Sequence, residues 1–99
     1  MNGGTVSDMT TRRLCIRGRV QGVFFRDWTV ATARGFGLSG WVRNRADGSV
    51  EVLTSGPADR IAAFVARCHD GPDRARVDAI DVTDAEADGS VDFGRRPTA

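Results

Sequence analysis

The residues best placed to do chemistry are gathered in Gly18-Arg19-Val20-Gln21-Gly22-Val23-Phe24-Phe25-Arg26. A short alternating segment, Leu14-Cys15-Ile16-Arg17, precedes this stretch, and a helix-compatible segment over 25–36 follows it. Strand, glycine-bearing loop and helix start, in that order, aim several backbone N–H groups at one point. The helix N-terminus adds roughly half a positive charge there, so the loop has the makings of an anion cradle. An Arg in the first helical turn opposes the helix dipole. Arg26 makes sense there when an anion sits between the two, and its planar guanidinium suits a pair of phosphate oxygens. The loop is not a Walker A sequence, because no Lys-Ser/Thr follows its second glycine. Read in isolation, the same residues equally fit a plain turn at Gly18 and Gly22, with Arg26 a solvated helix residue.

A second stretch narrows the choice. Gly40-Trp41-Val42-Arg43-Asn44 runs into Arg45-Ala46-Asp47-Gly48-Ser49-Val50, with Gly56 beyond it. Together the two stretches resemble the acylphosphatase family, whose signatures are G-x-V-Q-G-V-x-F-R and G-W-V-x-N-x-x-x-G-x-V-x-x-x-x-x-G. Both occur here without a mismatch, in the family's order and separation. With Gly71-Pro72 and Ala75-Arg76-Val77, the resemblance extends over 14–93. It implies that Arg26 binds the phosphoryl group of a small acyl phosphate, beside backbone N–H groups of Gln21, Gly22, Val23, Phe24 and Phe25. It also implies that the side-chain amide of Asn44 holds the attacking water. Carboxylate and inorganic phosphate would be the products, with no cofactor and no metal. On spacing alone, Asn44 also reads as a residue that starts a turn at a strand end. The rival from another class is a module of the same fold that binds phosphate or carbamoyl phosphate without turnover.

The elements that must position these residues follow from periodicity. Alternation predicts strands over 13–17, 38–44, 50–55 and 77–83, with a thin last strand over 91–94. On the second, Val42 and Asn44 share one face while Trp41 and Arg43 share the other. Trp41 is expected to pack or to line the mouth of the site, and Arg43 to be solvated. Asp47-Gly48 marks the hairpin to the third strand, whose Val50, Val52 and Thr54 share a face. The first helix carries an imperfect stripe, Phe25, Thr29 and Ala33, and Gly37 is placed to end it. Gly56-Pro57 opens the second helix, in which Ile61, Phe64, Val65 and Cys68 form a regular apolar stripe, and Gly71-Pro72 stops it. The order β-α-β-β-α-β is the split βαβ of a ferredoxin-like α+β fold. It predicts an antiparallel sheet with two helices on one face.

Composition bounds the rest. With 99 residues, one domain is expected over 12–94, between a flexible tail at 1–11 and a loose one at 95–99. The formal net charge is +1 and every basic residue is Arg, so no global field draws in nucleic acid or an acidic membrane. RRM-like sheets stack bases on strand aromatics, and here the strands offer Trp41 and Phe93 with no Tyr in the chain. Cys15 and Cys68 are expected to be small buried hydrophobes and not a disulfide. His69, the single histidine, falls in the last turn of the second helix, and Asp78, Asp81 and Asp84 lack calcium-loop spacing. No basic start with an apolar run and no membrane-length stretch is visible, so a cytoplasmic monomer is expected.

Overall fold

Residues 9–99 are described by the computed structural model. Most of the expected N-terminal tail, 1–8, lies outside the described residues. The elements are β1 (Met9–Arg19), α1 (Phe25–Gly35), β2 (Ser39–Asn44), β3 (Val50–Pro57), α2 (Ala58–Asp70), β4 (Arg76–Asp84) and β5 (Phe93–Arg95). They form one five-stranded sheet in the order β4-β1-β3-β2-β5. β1 lies antiparallel to β3 and to β4, and β2 lies antiparallel to β3.

Several expectations are corrected. The sheet is mixed, because β5 runs parallel to β2. The chain after β4 crosses back before it pairs, so the last strand enters from the same end as β2. That strand begins at Phe93, which is fully buried, whereas Val91 is 96% exposed. Met9, Thr10 and Thr11 belong to β1 and not to a tail, since β3 extends far enough to pair them with Pro57, Gly56 and Ser55. The hydroxyls of Thr11 and Ser55 meet there at 2.7 Å. Residues 95–99 are also not loose: Arg96 N–H donates to the Val42 carbonyl, Ala99 N–H to that of Asn44, and Ala46 N–H to that of Ala99. β2 would otherwise present unpaired backbone groups along that edge.

The core lies on one face of the sheet. Leu14, Ile16, Val42, Val50 and Val52 point there and are fully buried. α1 covers β2 and β5 while α2 covers β3 and β4. The apolar stripes behave as periodicity requires: α1 buries Phe25, Thr29 and Ala33, and α2 buries Ile61, Phe64 and Cys68. Thr29 donates its hydroxyl to the Phe25 carbonyl at 2.7 Å, so its polar atom is satisfied inside the core. Phe64 sits edge-on to both Phe36 and Phe93. Each such side chain contributes about 1.5–3 kcal/mol by leaving water.

The opposite face is polar and organised around Glu51, which is 2% exposed. Arg43 Nε donates to its Oε1 at 2.7 Å, Arg45 Nη1 to the same oxygen at 3.2 Å, and Arg13 Nε reaches Oε2 at 3.1 Å. Arg43 is therefore an ion-pair partner and not a solvated residue. Trp41 packs on this face, with the guanidinium groups of Arg43 and Arg96 at 4.8 and 5.0 Å from its ring centroid. Its indole N–H donates to Asp88 Oδ2 at 2.9 Å. Cys15 also lies on this face and is only half-buried, whereas Cys68 is buried in the core as expected, and both thiols are free. Among the described residues, no helix is long and apolar enough to cross a membrane.

Candidate active site

The site forms where β1 ends and α1 begins. At Gly18 the β1–β4 pairing shifts register, and its φ of 130° leaves no room for a side chain: a Cβ there would run into the Arg76 carbonyl. The chain then turns through Gly22, whose φ is 73°, and Phe24, whose φ is 61°. The glycine adopts that backbone freely. Phe24 is strained in it, a cost of about 1–2 kcal/mol for an L-residue, and such strain clusters at functional sites. Phe24 occupies the N-cap of α1 but supplies no side-chain cap, and its ring is 77% exposed. The first N–H groups of the helix are thus left for another acceptor.

The start of α1 borders a cleft of about 280 Å³, lined by Val20, Gly22, Phe24, Phe25, Arg26, Asp27, Asn44 and Arg95. The Arg26 guanidinium makes no hydrogen bond or ion pair with any described residue, so it is available to a ligand. Asn44 comes from the end of β2. Its Oδ1 is buried and accepts no hydrogen bond. Leaving such an acceptor unpaired costs about 1–3 kcal/mol, which a water donating an O–H would recover. Asp27 Oδ1 accepts from Arg95 Nη1 at 2.8 Å. The charged groups at the cleft are then two guanidinium ions and one carboxylate, besides the helix N-terminus, and the balance favours an anion.

Five of the seven expected site residues meet at this cleft: Gly22, Phe24, Phe25, Arg26 and Asn44. Phe25 does so from the core, where its ring is 1% exposed. Gln21 and Val23 do not border it. Val23 is buried in the core. The Gln21 amide Nε2 donates to the Arg45 carbonyl at 2.8 Å and to the Ser49 carbonyl at 2.9 Å. It straps the cradle to the β2–β3 hairpin, directly after Asn44. Sequence reasoning missed Val20, Asp27 and Arg95. Asp27 adjoins Arg26 and was open to notice. Arg95 lies 68 residues from its partner and carried no local signal.

Other groups offer little chemistry. Burial pushes the Cys68 thiol up to about 12, so it is not a ready nucleophile. Trp41 faces away from the cleft, and His69 is exposed on α2. Among the described residues, no three His, Cys, Asp or Glu side chains are grouped to hold a metal ion.

Comparison with known proteins points the same way. The family model described as Acylphosphatase matches residues 12–94. An acylphosphatase of Rhizorhabdus wittichii is 50% identical over 98 residues, covering 99% of each chain. The crystal structure of acylphosphatase from Bacillus subtilis superposes with a TM-score of 0.84 at 36% identity, over 89% of this chain and 98% of that one. A crystal structure of full-length HypF, in its phosphate- and nucleotide-bound form, gives a TM-score of 0.84 at 27% identity. That match covers 91% of this chain but 12% of HypF.

Proposed function

The chain belongs to the acylphosphatase family, hydrolases acting on acid anhydrides, and from that premise we propose how its residues cleave a small acyl phosphate. The phosphoryl group rests on the backbone N–H groups of Gly22, Phe24 and Phe25, the loop residues that border the cleft, and on the Arg26 guanidinium. A water donates one O–H to Asn44 Oδ1, which leaves its lone pair free to approach phosphorus. The water oxygen bonds to phosphorus as the bond from phosphorus to the acyl oxygen breaks. The carboxylate departs with that electron pair, and the water's proton passes to the phosphate product.

So sparse a site suffices for this bond. A carboxylate leaves without being protonated, and phosphoryl transfer mostly asks for positioning and for charge stabilisation on the equatorial oxygens. Fixed N–H donors and a guanidinium supply both. Asn44 is no base, but it holds water without placing a second negative charge beside the phosphate. The observation that carries this reading is the pairing, at one cleft, of an unpaired Arg26 with a buried, unpartnered Asn44 Oδ1. A metal-free monomer belongs to the same proposal. The two free thiols accord with the cytoplasm.

The test is hydrolysis of benzoyl phosphate with EDTA present, by wild type, Arg26→Ala and Asn44→Ala after all three are confirmed folded. Each substitution is expected to cost at least about a hundredfold in kcat/KM, the scale for losing one charge-stabilising donor. A wild type that binds phosphate but turns nothing over would leave the non-catalytic module as the better reading.

A further inference from the structure

Resting on the hydrolase reading, we propose that Arg95 selects the acyl group, favouring acyl phosphates whose acyl portion carries a carboxylate of its own. Arg95 pairs with Val42 in the parallel β2–β5 ladder. Its side chain therefore emerges on the face shared by Val42 and Asn44. It borders the same cleft as Arg26 and Asn44. Half of it is exposed, and among the described residues its one ion pair is Nη1 to Asp27 Oδ1 at 2.8 Å.

A guanidinium has five N–H donors in a planar fork. The bond to Asp27 uses one and fixes the fork beside the cleft, so less side-chain freedom is lost when a second carboxylate arrives. The phosphoryl group already has Arg26 and the loop N–H groups. A second cation at the cleft therefore has work to do on another part of the substrate, and a phosphoryl group fills only part of about 280 Å³. Asp27 in turn disfavours anions that do not reach Arg95. The competing account makes Arg95 a strut between β5 and α1, which would affect all substrates alike.

Steady-state kinetics on benzoyl phosphate and on its 3- and 4-carboxylated analogues separate the two accounts. Rates are corrected for uncatalysed hydrolysis and measured for wild type, Arg95→Gln and Arg95→Lys. The readout is the ratio of kcat/KM within each protein, so partial loss of folded material cancels. Wild type is expected to prefer at least one carboxylated substrate by about tenfold, mostly through KM, as suits a charge-assisted hydrogen bond made in the ground state. Arg95→Gln should abolish that preference and Arg95→Lys should keep part of it. No preference in wild type, or a preference that survives Arg95→Gln, overturns the proposal. A wild type that hydrolyses none of the three removes the hydrolase reading itself, and this proposal with it.

Discussion

A buried carbonyl oxygen without a donor is an unstable arrangement unless something fills it, and Asn44 Oδ1 is one. Its neighbour across the loop, Gln21, is the reverse case: both amide hydrogens are spent on carbonyls of the β2–β3 hairpin. In the proposed mechanism the two residues divide the labour, one holding water and the other holding the cradle in place beside it. Gln21→Ala is expected to lower stability by about 1–2 kcal/mol through two lost hydrogen bonds. It should also reduce kcat roughly ten- to hundredfold, because displacement by about 1 Å costs that much in a positioned reaction. Phosphate affinity should change less, since Arg26 and the loop N–H groups remain. Thermal melts beside phosphate inhibition and turnover check the split. Equal losses in affinity and kcat would contradict a positioning role.

At the scale of elements, the site is the start of α1 placed against the end of β2. The turn into that helix depends on Gly22, where a Cβ would meet no atom within 4 Å. Backbone conformation alone sets the requirement. Gly22→Ala is expected to cost about 1–2 kcal/mol from the left-handed backbone, and to weaken phosphate binding as the N–H groups shift. A denaturant melt without loss of stability would show that the loop relaxes freely. Much of this arrangement was legible beforehand. The stripe Phe25, Thr29 and Ala33 follows the helical period, and those residues are the ones α1 buries. A last strand was legible, but its bounds and direction were not: β5 is three residues with a glycine in the middle, and its parallel pairing depends on where the preceding loop returns. For the same reason the Asp27–Arg95 pair was hidden, because it exists only once the register of β2 and β5 is set. Arg43 was misjudged because alternation gives the face of a strand but not what covers that face.

The whole molecule has an apolar side under the helices and an ionic side around Glu51. Burial pushes the Glu51 carboxyl up, but the Arg43 hydrogen bond and the charges of Arg43, Arg13 and Arg45 outweigh it and hold it below its ordinary value. A carboxyl lowered by folding stabilises the native state above its unfolded pKa, about 4.3 for Glu. That contribution is lost as pH falls through the lower folded value. Glu51→Gln is thus expected to cost about 1–3 kcal/mol at pH 7, with the gap from wild type closing below about pH 4. Melting curves at pH 7 and pH 3 check this, and a gap unchanged at pH 3 would contradict it. Since the ionic side lies across the sheet from the cleft, the substitution should alter stability far more than turnover.

The central claim is that one cleft binds the phosphoryl group through Arg26 and the loop while Asn44 supplies the water. The most direct measurement is the inhibition constant of inorganic phosphate for Asn44→Ala, taken beside its turnover of benzoyl phosphate in EDTA. The account predicts phosphate binding within a few fold of wild type, together with turnover reduced at least about a hundredfold. Turnover near the wild-type rate would contradict it, and the attacking water would then have to be held elsewhere.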